Sequence, residues 1–275
     1  MAEQLSAQAL SSVKPFSASH QTRVLWVVFA LYALYAAAQL DFTWARFEQG
    51  LGQGAKFLAR MWPPNFSRWE ALLTGLVESL QMAVLASALG ILIALPIGFL
   101  GARNLMPAWV TWPVRGLVSL CRTLHPVIVA ILFVKAVGFG ALAGILSLAV
   151  ATIGFSGKLF TDAVEEISMK QIEAVRATGA SFMNVLCFGV IPQVMARFVG
   201  FTTYQVDSNL RNSTMVGIVG AGGLGGTLFS AFQRFDYDYV FAILLTIIAL
   251  ITLGEFLANG IRAVFVDGWR GADAQ

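Results

Sequence analysis

The chain has 275 residues, of which 57% are hydrophobic and 12% are charged, and its net charge is +3. A soluble domain carries about 25% charged residues, so a soluble chain of this composition would expose aggregating apolar patches. The weak positive charge, spread over loops, argues against a nucleic-acid-binding surface. The composition therefore predicts an all-α membrane protein whose apolar surface faces the lipid bilayer.

Six apolar runs are long enough to cross a bilayer, which takes about 20 residues. In chain order they cover 24–40, 72–100, 114–137, 141–160, 190–210 and 239–264. Between the first two, residues 41–70 alternate charges with aromatic rings, which predicts an interfacial helix and turn. We expect about six transmembrane helices in a membrane domain covering 24–266, with 1–23 and 267–275 as cytoplasmic tails.

The distribution of lysine and arginine predicts the orientation of these spans. If the N-terminus is cytoplasmic, ten basic residues fall on the inner side and five on the outer side. Cytoplasmic segments of membrane proteins carry the excess of Lys and Arg. Because the number of spans is even, both termini are predicted to be cytoplasmic, in a multi-pass protein of the bacterial inner membrane.

The loop at 161–192 is the longest polar segment between spans. Glu173 and Ala174 are followed by Gly179 six residues after Glu173 and by Pro192 nineteen residues after it. This spacing resembles the EAA motif of ABC-importer permeases. A glycine accepts the positive φ of a helix end, and a proline suits a helix start. An ordinary solvated loop explains the charges but not the spacing, so we interpret 161–192 as a coupling loop that contacts an ATPase.

Further segments resemble the membrane subunit of phosphonate-type ABC importers, whose relatives are associated with phosphite and hypophosphite. They are 96–105, 133–144, 153–160, 165–166, 173–180, 209–213 and 216–225. The resemblance implies a type I ABC-importer permease fold with a cytoplasmic coupling helix. It also implies two cytoplasmic ATP-binding subunits, a second permease copy, preferably identical, and a periplasmic or lipid-anchored substrate-binding protein. ATP and Mg would be bound by the partner subunits, and no cofactor is expected in this chain.

A polar cluster ends the fifth span and is the predicted substrate path. Its members are Asp207, Asn209, Arg211, Asn212 and Ser213. An ionised side chain at the bilayer centre costs at least ~2.5–3.5 kcal/mol, so such groups face a cavity, a partner chain or an interface. Arg211 offers a two-pronged donor that suits an oxyanion. The alternative is an intrahelical ion pair with Asp207, four residues earlier, and both interpretations stay open.

Gly220, Gly222 and Gly223 belong to a stretch that satisfies the dinucleotide-binding pattern GxGxxG. That pattern needs a strand before it and a helix after it, whereas here it lies between two apolar spans. We interpret the three glycines as a helix break that lines the path or its gate. Residues 154–158 are too short for a phosphate-binding P-loop, so a partner must hydrolyse ATP.

Three other charged residues, Glu78, Arg122 and Lys135, lie nearer span ends and are expected to extend to the interface. The sequence assigns no role to His125, Lys135 or Glu255. It predicts a non-enzymatic permease subunit that moves a small phosphorus oxyanion inward by alternating access. The alternatives are an ABC permease for another solute and an ion-coupled secondary transporter, which should show inverted repeats. An intramembrane enzyme would need a nucleophile or metal set, and the sequence has none.

Overall fold

The computed structural model describes residues 20–40 and 43–263, and these residues form helices and turns without a strand. The helices are α1 His20–Ala38, α2 Trp44–Met61, α3 Trp69–Gly101, α4 Ala108–Thr123, α5 Pro126–Val137, α6 Ala141–Glu165, α7 Met169–Ala177, α8 Phe182–Asn184, α9 Ile191–Val216, α10 Gly223–Gln233 and α11 Tyr237–Arg262. Two π-helical segments, π1 Val185–Val190 and π2 Gly217–Ala221, flank α9. The predicted all-α class is confirmed.

The chain divides into two compact units, residues 1–59 and 60–275. In the first unit α1 buries no residue, and it begins at His20, four residues before the predicted start of the span. Helix α2, most of which belongs to this unit, exposes Trp44 and Phe47 to the surroundings, as an interfacial helix would. The predicted tails at 1–23 and 267–275 lie outside the described residues, apart from 20–23, which belong to α1.

Within residues 20–40 and 43–263, five helical stretches are long and apolar enough to cross a membrane, and a sixth crossing results if α4 and α5 count as one span. The axes of α4 and α5 meet at 91°, so the span predicted over 114–137 is divided into two helices by a sharp bend. Pro126 is the cause, because it disfavours helical geometry in the residue before it. His125 instead caps α5, where its Nδ1 accepts a hydrogen bond from the Val127 amide at 3.3 Å.

Helices α3 and α6 pack against each other along their length and organise the second unit. A Cβ added to Gly90 would overlap Thr152, and one added to Gly98 would overlap Phe160. Small residues allow this approach in a membrane, where close backbone packing replaces the hydrophobic effect as the source of helix association. Helices α9 and α11 complete the bundle, and α9 packs on both α3 and α6.

Pro192 lies in the first turn of α9, which begins at Ile191, as predicted for the start of the fifth span. The helical chain, however, already begins at Phe182 and runs with few breaks to Ala221. The amide of Ile191 bonds to the carbonyl of Leu186, five residues back, which is the π-helical pattern. Pro192 follows this wider turn, where the local irregularity accommodates its missing N–H.

Candidate functional site

Helix α7 in the loop 161–192 is anchored on the bundle by Ile172. This side chain is fully buried and belongs to a cluster with Phe160, Val164 and Val190, which come from α6 and π1. The outward face of α7 is exposed and carries Lys170, Gln171, Glu173, Ala174 and Arg176. The helix therefore presents a short, mixed-charge surface while one isoleucine fixes its position.

Contacts to α9 fix the residues before α7, and a glycine turn ends the helix. Before the helix, the Ser168 amide donates to the Oε1 of Gln193 at 2.9 Å, and Glu166 pairs with Arg197. After it, Gly179 has a φ of +75° and is exposed, so this turn uses the conformation that favours glycine. Glu173, Ala174, Gly179 and Pro192 are all exposed, the first three on α7 and its following turn.

The predicted substrate-path cluster is divided between two faces of α9. The Arg211 Nη2 lies 3.0 Å from the Oδ2 of Asp207, so the intrahelical ion pair is present. The Arg211 side chain is 56% exposed, and that of Asp207 is 13% exposed. The other carboxylate oxygen of Asp207, Oδ1, is buried without a hydrogen-bond partner. Arg211 is thus held by Asp207 yet keeps more than half of its surface accessible.

Asn209 faces the opposite direction and is completely buried. Its Nδ2 donates to the Ser87 hydroxyl at 2.9 Å and to the Thr152 hydroxyl at 2.8 Å, and its Oδ1 accepts from Gln205 at 3.1 Å. This network joins α3, α6 and α9 in the core. The sequence did not indicate it, because Ser87 and Thr152 are small polar residues in otherwise apolar runs.

The remaining members of the cluster bond within α9. The Ser213 hydroxyl is buried and donates to the carbonyl of Leu210 at 2.7 Å. Asn212 is half-buried and reaches the Ser208 hydroxyl at 3.4 Å. The structure therefore brings Asp207 and Arg211 together, but it does not gather the five side chains at one cavity.

The glycine segment breaks the helix, as the sequence suggested. Gly220, Gly222 and Gly223 have φ values of +105°, +84° and +66°. The Gly223 amide donates to the Oε2 of Glu78 at 2.8 Å, and the next amide, that of Leu224, donates to the Ser79 hydroxyl at 2.9 Å. Two side chains of α3 therefore cap the N-terminus of α10, whose amides would otherwise be unpaired.

The contacts of Glu78 differ from those expected from the sequence. We expected its carboxylate to extend to the membrane interface, whereas it is half-buried and bonded to the glycine segment. Its partner is 145 residues away in the chain, so the sequence carried no local signal for this contact. Arg122 and Lys135 are exposed near helix ends, which fits the expectation for them.

A groove between α3, α9 and α11 has a volume of about 720 Å³. Its walls are apolar except for Thr202, Thr203 and Asp207. Such walls suit lipid or a helix rather than a hydrated oxyanion, which needs several donors. The predicted path residues other than Asp207 do not line it.

The end of the second unit opposite α7 is held by polar contacts. Arg68 bonds to Asp236 at 2.8 Å, and this bond raises the pKa of the guanidinium above its ordinary value. Asn65 donates to Asp238 at 2.9 Å. These contacts fix the turn between α10 and α11 to the residues that precede α3.

Residues 71–268 match the family model described as "Binding-protein-dependent transport system inner membrane component". The chain is 38% identical to the phosphate-import permease protein PhnE of Mycolicibacterium smegmatis, over 82% of this chain and 42% of that protein. It is 37% identical to the phosphite transport system permease protein PtxC of Stutzerimonas stutzeri, over 78% of this chain and 79% of that one.

Among solved structures, the chain is similar to a chain of the MetNI methionine ABC transporter in an inward-facing conformation. The TM-score is 0.64 with 26% identity, and the match covers 73% of this chain and 99% of that chain. This likeness confirms the predicted type I ABC-importer permease fold. The likeness to phosphonate-type permeases that the sequence segments indicated is confirmed as well.

Proposed function

Since this chain belongs to the family of binding-protein-dependent transport system inner membrane components, we propose that it is the membrane permease subunit of an ABC importer. The observation that carries the proposal is the geometry of α7. An exposed nine-residue helix with the EAA spacing, fixed to the core through Ile172, suits the docking of a separate ATPase. Such a contact transmits motion only if the helix cannot shift independently of the bundle.

The proposed substrate is a small phosphorus oxyanion, a phosphonate or phosphite. Two relatives at 37–38% identity are named for phosphate and phosphite transport. Arg211 supports this choice, because its accessible guanidinium can bond two oxygens of one oxyanion at once. Asp207 holds the Arg211 side chain in place. Its carboxylate also offsets the positive charge of the arginine, so the site does not bind anions too strongly to release them.

The proposed mechanism is alternating access. A periplasmic or lipid-anchored binding protein delivers the solute at the outer face, and two ATP-binding subunits, which hold ATP and Mg, move α7 as they close. A partner shifts such an equilibrium only through contacts that differ between the two states. In this scheme a second, identical copy completes the path, both termini are cytoplasmic, and Gly220, Gly222 and Gly223 act as a gate beside it.

The experiment is uptake and ATP hydrolysis in proteoliposomes that contain the permease, its ATP-binding subunit and its binding protein. The panel is methylphosphonate, phosphite, phosphate, sulfate and methionine. Stimulation of both activities by a phosphorus oxyanion alone supports the proposal. Stimulation by methionine alone would be consistent with an importer of the same fold but would refute the proposed substrate. Uptake driven by an ion gradient without ATP would refute the importer itself.

Orientation is tested separately with reporter fusions in the full-length chain. A fusion after residue 56 should read as periplasmic, and a fusion after residue 170 should read as cytoplasmic. The reverse pair of readings would contradict the proposed topology and place α7 on the side where no ATPase exists.

A further inference from the structure

Helix α4 has the features of a helix at the membrane surface near the α7 end of the bundle. Trp109 and Trp112 are 78% and 73% exposed, and tryptophan rings favour the headgroup level. The helix meets α5 at 91°, so the two do not form one straight crossing. Its Arg115 contacts Glu165, the last residue of α6, four residues before α7 begins.

A cavity of about 160 Å³ lies between α4 and α6, and basic side chains line it. The lining residues are Arg115, Val118, Ser119, Arg122, Lys158 and Thr161. Two guanidinium groups and one ammonium group therefore border a space that holds several water molecules. This space admits a tetrahedral oxyanion but not a whole lipid.

The charges around the cavity do not balance. Arg115 pairs with Glu165, and Lys158 pairs with Asp162. Within residues 43–263 no carboxylate lies in ion-pair contact with Arg122. Three cations against two carboxylates leave one positive charge, carried by an exposed arginine at the rim. A basic pocket between membrane helices on one surface of a bilayer attracts anionic headgroups.

We propose that this cavity binds a phosphate group, with the headgroup of an anionic phospholipid as its source. Arg122 supplies the unpaired charge and a two-pronged donor, and Arg115 and Lys158 border the same space. The exposed side chains of Leu117 and Leu120 on α4 offer apolar surface for the acyl chains. The site is separate from Arg211 and does not depend on the proposed transport function.

The test uses the full-length permease in neutral detergent, with bound lipid counted by native mass spectrometry. The probes are dioleoyl phosphatidylglycerol, dioleoyl phosphatidylcholine and inorganic phosphate. Arg122→Gln should weaken phosphatidylglycerol binding about fivefold, the equivalent of ~1 kcal/mol for one basic residue near a membrane surface. Ser119→Glu places a negative charge at an exposed position of the same cavity, and it should weaken phosphatidylglycerol binding at least as much.

The matched control is Arg262→Gln, which removes an exposed arginine near the same end of the bundle but outside the cavity. It should leave phosphatidylglycerol binding unchanged. If excess inorganic phosphate displaces phosphatidylglycerol from the unmodified chain but not from Arg122→Gln, the cavity binds phosphate and the free anion is a second source. If Arg122→Gln and Ser119→Glu both bind phosphatidylglycerol as the unmodified chain does, or if all three variants lose it equally, the proposal is overturned.

Discussion

Replacing Ile172 with alanine should detach α7 from the bundle without altering its exposed face. The substitution removes three buried carbons, worth ~0.8 kcal/mol each, and leaves a cavity that adds to the loss. A nine-residue helix has almost no stability of its own, so the loss falls on the docked state of α7. A change of about 2.5 kcal/mol lowers the ratio of docked to undocked helix about 60-fold.

Hydrogen exchange of residues 169–177 in the full-length permease measures this detachment directly. Ile172→Ala should speed the exchange strongly, whereas Ile172→Val, at about 0.5–1.5 kcal/mol, should speed it only about 2- to 12-fold. In the reconstituted importer, Ile172→Ala should lower solute uptake more than ATP hydrolysis. Ile128→Ala is the matched control, because that isoleucine is 53% exposed and lies on α5, a separate helix from α7. Unchanged exchange in Ile172→Ala would refute the anchoring role.

Three further outcomes are expected from the site geometry. Gly179→Val should lower uptake, because a β-branched residue at a φ of +75° costs about 1–3 kcal/mol. The control Gly116→Val should transport normally, because Gly116 has open space around it and no positive φ. Asn209→Ala should lower the thermal unfolding temperature through two lost interhelical bonds of ~0.6 kcal/mol each, and an unchanged temperature would contradict the network. Arg211→Ala should abolish uptake at normal expression, and adding Asp207→Ala should not restore it; full uptake by the double variant would show a purely structural pair.

Hydropathy predicted the long helices well because a bilayer imposes their length and polarity directly. The bend between α4 and α5 was harder to predict, since a proline within an apolar run is compatible with both a kinked span and a right-angled turn. Pro126 disfavours helical geometry at His125, and the His125 side chain then caps α5 by accepting a bond from the amide of Val127. The signal was therefore present locally, at a proline and at a histidine to which the sequence assigned no role.

The sequence-based prediction that the polar residues of α9 form one substrate path overlooked helix geometry. Residues two positions apart on a helix point in nearly opposite directions, so Asn209 and Arg211 could not share one face. The sequence could have separated them on this ground. It could not have identified the partners of Asn209, because Ser87 and Thr152 lie 122 and 57 residues away and come into contact only in the folded bundle.

The overlap that any side chain at Gly90 or Gly98 would cause also limits how the bundle can change shape. At these two levels α3 and α6 leave no room for a side chain between them, so a large relative rotation of the two helices would require them to separate. Helix α7 follows α6 after three residues, and the 23-residue step along α3 from Gly101 back to Glu78 spans about 35 Å. There, in the N-terminal third of α3, Glu78 and Ser79 hold the start of α10. In the proposed importer, a push on α7 would therefore reach α10 through the packed helices α6 and α3 and these two hydrogen bonds.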